Sequence, residues 1–134
     1  MNSINGVISN IQQSGSIILA DIDIGTTNIS AMLIASANGD TWIAQNKPVQ
    51  VVFKETEVSL AKNLTGKISL RNRFDCKVKA IEKGKLLSKI ILVCGQHHIT
   101  SVITTRSLNE LEITIDDNIE ALVKANEVSL MAFK

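Results

Sequence analysis

The sequence predicts an all-β protein built from two tandem five-stranded barrels of the OB kind, each carrying at most a short helix. Three observations predict it. Lys54-Glu-Thr-Glu-Val-Ser-Leu60 recurs as Lys124-Ala-Asn-Glu-Val-Ser-Leu130, an offset of seventy residues. The same offset pairs Asn2 with Asn72, Ile11 with Ile81, Gly25 with Gly95, Ile29 with Ile99 and Ile43 with Ile113 without a gap. A period that holds from end to end means one structural unit used twice. Isoleucine, valine, threonine and leucine dominate in short alternating runs, which favours strand.

The first unit, residues 1–65, reads in order. Ile4 to Gln12 is a strand, and Gln13-Ser-Gly-Ser16 a turn. Ile17 to Ile24 follows, with Asp21 and Asp23 alternating against Ile22 and Ile24 as a half-buried strand requires. Gly25-Thr-Thr-Asn28 is a turn, Ile29 to Ala35 a third strand, and Asn38-Gly39-Asp40 a turn signal. Val49 to Lys54 and Glu57 to Ala61 close the unit. Asn63-Leu-Thr-Gly66 leads on without linker-like composition, so the two units are expected to be tightly coupled.

The second unit, residues 66–134, repeats the plan. Its strands are Phe74 to Ile81, Leu86 to Cys94, His97 to Thr104, Ile119 to Lys124 and Glu127 to Met131. One element is added. Ser107 and Glu110 have capping-box spacing, which predicts a short helix starting near Thr105 to Ser107. Units of roughly 65 residues bury little core alone, so packing on each other or in an oligomer is expected.

Composition narrows the function. With 45% hydrophobic and 20% charged residues over 134 positions, the chain is that of a globular domain. Net charge is +1, so no basic field points to nucleic acid. Trp42, Phe53, Phe74 and Phe133 are too scattered for a base-stacking platform, and Phe53 and Phe74 read as core. The longest apolar run is far too short to span a membrane, and the N-terminus has no leader-like pattern, so a cytoplasmic location is expected. Cys76 and Cys94 could form a disulfide, but reduced core cysteines are the expectation in that compartment. His97 and His98 are adjacent in a strand and point to opposite faces, so no metal site is expected. No Gly-rich phosphate loop, nucleophile elbow or carboxylate pair is present, and no enzyme is read.

Ser69-Leu70-Arg71-Asn72 opens the second unit. Thr104-x-x-Ser107-x-x-Glu-Leu111 follows, then Lys124-Ala125 and a closing Val-Ser-Leu strand. This arrangement resembles the Mop, or TOBE, domains of the molbindins, which begin with Ser-Ala-Arg-Asn and end on a Lys-Ala-x-x-Val strand. Across the whole chain it is similar to tandem di-Mop proteins, to the effector half of molybdate-responsive regulators and to the C-terminal part of molybdate-importer ATPases. Leu70 departs from the alanine of the signature.

The resemblance implies binding of molybdate or tungstate at a subunit interface, for storage, buffering or sensing, with no covalent cofactor. Ser69, Leu70, Arg71, Asn72 and Lys124 would come from one chain, and Thr104 with Ser107 from a partner in a dimer or trimer. The residue types suit a tetrahedral dianion, which needs donors and positive charge and no carboxylate. The hydroxyls of Ser69, Thr104 and Ser107 and the Lys124 ammonium supply both, and an anion nest is expected at the Leu70 and Arg71 N–H groups. Asn72 reads as more structural than ligating, because Asn2 persists where the rest of the site is gone. At the seventy-residue offset Thr104 matches Ile34, Ser107 matches Ala37 and Arg71 matches Met1. The first unit therefore keeps Asn2 and Lys54 but lacks the hydroxyl pair, and is expected to be a structural partner or a weaker site. The competing readings are an OB-type nucleic-acid binder and a regulatory domain detached from its ATPase or DNA-binding partner.

Overall fold

A computed structural model describes residues 1–36, 39 and 41–133. Ala37 and two residues of the expected turn, Asn38 and Asp40, lie outside the described residues. Ten strands form two five-stranded antiparallel sheets. In chain order these are β1 (Asn2–Ser14), β2 (Ile17–Asp23), β3 (Asn28–Ile34), β4 (Pro48–Phe53), β5 (Ser59–Ala61), β6 (Asn72–Lys83), β7 (Leu87–Cys94), β8 (His97–Thr104), β9 (Asn118–Val123) and β10 (Ser129–Ala132). Among the described residues a single α-helix, α1 (Thr105–Glu110), follows β8. The alternation read from the sequence is visible in burial: Ile18, Ala20 and Ile22 of β2 point inward while Ile17, Leu19 and Asp23 are exposed.

The sheets do not follow the sequence halves. The first runs β10-β4-β1-β2-β3 and the second β5-β9-β6-β7-β8. The expectation that β5 closes the first unit is corrected here, because β5 crosses over and pairs with β9, Ser59 opposite Leu122. In return β10 pairs with β4, Ser129 opposite Val52. A three-residue 3-10 turn after each fourth strand carries the chain across, at Glu55–Glu57 and at Ala125–Glu127. The sequence reading took Glu57 and Glu127 as strand starts; each ends such a turn instead. The repeated Lys-x-x-Glu-Val-Ser-Leu segment is thus the crossover, its turn lying on the other half's third strand.

Two asparagines fasten the exchange. Asn2 Nδ2 donates to the Thr100 carbonyl at 2.8 Å, and the Thr100 N–H donates to Asn2 Oδ1 at 2.8 Å. Seventy residues on, Asn72 makes the same pair with the Ser30 carbonyl and N–H, at 2.8 and 2.6 Å. Each amide replaces a missing strand partner for one residue of an edge strand, and each asparagine is buried. Phe53 of the first sheet stacks on Phe74 of the second, ring centroids 6.2 Å apart, and buried residues of both sheets form one hydrophobic cluster.

The halves diverge at one cross-strand position. Cys76 and Cys94 are joined by a disulfide, which corrects the expectation of two thiols. The β6–β7 register sets Lys77 opposite Val93, so the next pair outward is Cys76 and Cys94, with Cα atoms 4.4 Å apart. Their counterparts are Gly6 and Ile24. A Cβ on Gly6 would meet the Asp23 carbonyl oxygen at 2.9 Å, so the first half fills this place with backbone and isoleucine.

Replacing Asn72 with alanine leaves the Ser30 N–H and carbonyl unpaired at a partly buried site. Equilibrium denaturation should show a loss of about 1–3 kcal/mol, with no change in the far-ultraviolet strand signal. A chain as stable as the wild type would contradict the clamp.

Candidate functional site

Asn72 begins β6 opposite Val123, the last residue of β9. The segment Ser69–Arg71 and Lys124 therefore leave the same end of this ladder as close neighbours. Ser69, Arg71 and Lys124 are exposed, Leu70 is half-buried, and a bend falls at Ser69. Among the described residues none of the side chains of Ser69, Arg71 and Lys124 is held in a hydrogen bond or ion pair. Left-handed φ occurs at Asn63 and Gly66 but at none of residues 69–71.

A second arginine stands two positions on, and its neighbours decide its role. Arg73 Nε donates to Glu120 Oε2 and its Nη2 to Oε1, both at 2.8 Å. Arg73 faces Leu122, so Glu120 sits two residues along β9 on the same face. The hydrogen bond to Glu120 raises the Arg73 pKa, and the same bond holds the Glu120 carboxyl below its ordinary value. Arg73 is committed to this fork, whereas Arg71 is not. Lys62 is engaged likewise, with Asp117 Oδ2 at 2.9 Å and the Glu112 carbonyl at 2.7 Å. Among the described residues, Arg71 and Lys124 make no ion pair at this end of the sheet.

The hydroxyl pair sits where β8 becomes α1. Thr104 is the N-cap, accepting the Ser107 N–H at 3.1 Å and donating its own hydroxyl to Ser107 Oγ at 2.9 Å. The sequence reading placed the helix start correctly, but the cap is Thr104 and not Ser107, and Glu110 ends the helix. With the Thr104 proton used internally, the Ser107 hydroxyl proton is the one that points outward. Thr105 anchors the junction from beneath. It donates to the Gly84 carbonyl at 2.8 Å, so Ser88, 2.8 Å away and buried, must donate to it.

Thr104 opens on a groove of about 450 Å³ with Lys85, Leu86, Leu87, Arg106 and Asn109. Ser107 opens on a smaller cleft with Thr56, Ser59 and Leu60 of the crossover. Neither is lined by Ser69, Leu70, Arg71 or Lys124. The structure brings signature and lysine to one end of the ladder, keeps the hydrogen-bonded hydroxyl pair away from them, and uses both amide atoms of Asn72 for the clamp. In the first half Asn2 is the corresponding clamp, and Lys54 begins the crossover with its N–H donating to Glu57 Oε1 at 2.9 Å. Glu55 stands where the second half has Ala125, and its Oε2 lies 3.6 Å from the Met1 nitrogen.

His97 Nε2 lies 2.8 Å from the Ile24 carbonyl oxygen, joining the two hairpin tips. At that junction a Cβ on Gly95 would meet Thr26 Cγ2 at 2.7 Å, and its φ of +62° also requires glycine. Among the described residues no cluster of three or more metal-ligating side chains occurs, and no helix is long and apolar enough to cross a membrane.

Comparison with known proteins gives a consistent picture. The family model of the TOBE domain matches residues 68–130. Molybdenum-pterin-binding protein 2 of Clostridium pasteurianum is 33% identical over 66 residues, 48% of this chain and 97% of that protein. The molybdenum import ATP-binding protein ModC of Brucella abortus (strain 2308) is 27% identical over 117 residues, 87% of this chain. The chain spans 31% of that relative's length. A crystal structure of the cytoplasmic molybdate-binding protein ModG, with molybdate bound, superposes with a TM-score of 0.92 at 25% identity, covering 98% of this chain and 96% of that one.

The lowered carboxyl of Glu120 has a consequence for stability. A depressed folded-state pKa contributes stability above the unfolded value, near 4, that is lost as pH falls through the folded value. Glu120→Gln should therefore flatten the acid limb of a plot of unfolding midpoint against pH below about pH 4. An unchanged acid limb would show that the fork does not hold in solution.

Proposed function

The chain belongs to the TOBE-domain family as a tandem, molbindin-like member, and from that premise we propose that it binds molybdate or tungstate for storage, buffering or sensing in the cytoplasm. Its part is binding and not catalysis. The observation that carries the reading is the contrast between the halves. The second half sets Arg71 and Lys124 at the same end of the β6–β9 ladder, neither of them in an ion pair among the described residues. The first half keeps Lys54 but has Met1 where the second has Arg71, and Ile34 where it has Thr104.

The proposed site is completed between chains. One chain supplies Ser69, the Leu70 and Arg71 backbone, the Arg71 guanidinium and the Lys124 ammonium. A second supplies Thr104 and Ser107, which in their own chain open on other surfaces. Each charge-assisted hydrogen bond contributes about 1.5–3 kcal/mol, and micromolar affinity corresponds to about 8 kcal/mol. A handful of such bonds reaches that range. Asn72 positions the site without touching the anion, by fixing the start of β6. Leu70 in place of alanine narrows the floor.

A second reading has its own support. The 117-residue match to ModC, 87% of this chain, fits a regulatory module that serves an importer ATPase through the same oxyanion site. In that case the chain should co-purify with an ATPase, and the storage role would fall while the binding residues stood.

Isothermal calorimetry with molybdate, tungstate and sulfate separates the alternatives for the site. Lys124→Ala should abolish high-affinity binding, and Lys54→Ala should leave most of it. The reverse order would move the site to the first half. Heats indistinguishable from dilution for all three anions with the wild-type chain would reject the function.

A further inference from the structure

The second half buries a polar pair where the first half is apolar. Ser88 of β7 and Thr105, the first residue of α1, are 1% and 8% exposed. At the seventy-residue offset their counterparts are Ile18 and Ala35. The backbone of this corner is the same in both halves. The Thr105 N–H donates to the Leu86 carbonyl at 2.8 Å, and the Ala35 N–H donates to the Ser16 carbonyl at 2.7 Å. The side chains are what differ. Ser88 Oγ donates to Thr105 Oγ1 at 2.8 Å, and Thr105 Oγ1 donates in turn to the Gly84 carbonyl at 2.8 Å.

Burying hydroxyls costs free energy that apolar groups of the same size do not incur, and the first half closes the same corner without them. Their effect falls on the next residues of the chain. α1 has six residues, too few to be stable as an isolated helix. Its buried residues are Thr105 and Leu108, so one apolar side chain and the relay hold it to the sheet. The apolar contact is non-directional. The relay has a direction, because a hydroxyl that accepts from Ser88 and donates to Gly84 has one orientation. Thr104 directly precedes Thr105, and Ser107 follows it by two, so the hydrogen-bonded hydroxyl pair takes its aim from this residue. Among the described residues of the first half no helix follows β3, and there the relay and the Thr104 hydroxyl are both missing.

We infer that Ser88 and Thr105 are positioning residues for oxyanion binding: the buried Ser88–Thr105–Gly84 relay sets the aim of Thr104 and Ser107 and touches no anion itself. The inference rests on the site proposed above, in which that pair offers its hydroxyls to the anion. Hydroxyls free to turn must be ordered when the anion arrives, and that ordering is subtracted from the affinity. With the relay in place the ordering is completed during folding. The halves then differ in more than their ligating side chains, because the first half also lacks the device that would aim them.

Molybdate calorimetry on the full chain, paired with denaturant unfolding, tests this. Ser88→Ala combined with Thr105→Val removes both hydroxyls and nearly keeps their volume, a change that leaves stability close to wild type. The unfolding midpoint should therefore stay near the wild-type value. The dissociation constant should rise about tenfold or more, as when one hydrogen bond to a charged group is lost. Ser88→Ala alone keeps the bond from Thr105 to Gly84 and should weaken binding in the same direction. Thr105→Ser keeps the hydroxyl and should bind as the wild type does. Wild-type affinity in the folded double variant, or in Ser88→Ala should the double variant fail to fold, would overturn the inference. So would a Thr105→Ser chain that binds as weakly as the double variant. A pair that served the fold alone would give the opposite pattern, a lowered midpoint with affinity kept. A wild-type chain that binds no molybdate rejects the binding function and the relay's part in it. A wild type that binds, beside an unaffected double variant, rejects the relay alone.

Discussion

Two side-chain amides hold this molecule in its shape. Asn2 and Asn72 each present a carbonyl and an NH₂ group to the backbone of an edge strand in the opposite sheet. A buried amide satisfied on both sides acts like one residue of an extra strand. It fixes register, because a slip of one residue would leave four polar groups unpaired. The crossover turns, the stacked Phe53 and Phe74 and the shared core are compatible with that register. The binding segment inherits it too, since Arg71 directly precedes one clamp.

The clamps also explain why an asparagine survives in the half that has lost its site. Selection for an anion would release Asn2 together with the hydroxyl pair. Selection for sheet alignment would retain it, and its two hydrogen bonds to Thr100 match those of Asn72 to Ser30. The same logic separates the arginines. Arg73 is neutralised by the Glu120 fork, and Arg71, one clamp away, is not.

Much of this was legible in the residues. The repeat aligns without a gap, and the strands follow from alternating burial, which a sequence displays directly. The helix start followed from the capping-box spacing of Ser107 and Glu110, although the cap itself is Thr104. The exchange of β5 and β10 was not legible. Periodicity tells which face of a strand is buried but not which sheet receives it, and the crossover turn at 55–57 is too short to have a pattern of its own. The disulfide was missed for a related reason. Cys76 and Cys94 are neighbours only through the β6–β7 register, while compartment argued for thiols. At the site, the cations could be named from the family signature. Their availability could not, because Glu120 lies 47 residues from Arg73.

The exchanged strands set an order on how the protein comes into being. The first sheet lacks one edge until residues 129–132 pair with β4, and the second lacks its core strands until the chain has passed β9. Neither half can be finished as the ribosome releases it. The nascent first half keeps the far edge of β4 open until β10 is made, and each sheet closes only through long-range pairing. A tandem repeat would ordinarily fold bead by bead; this one matures only as a whole.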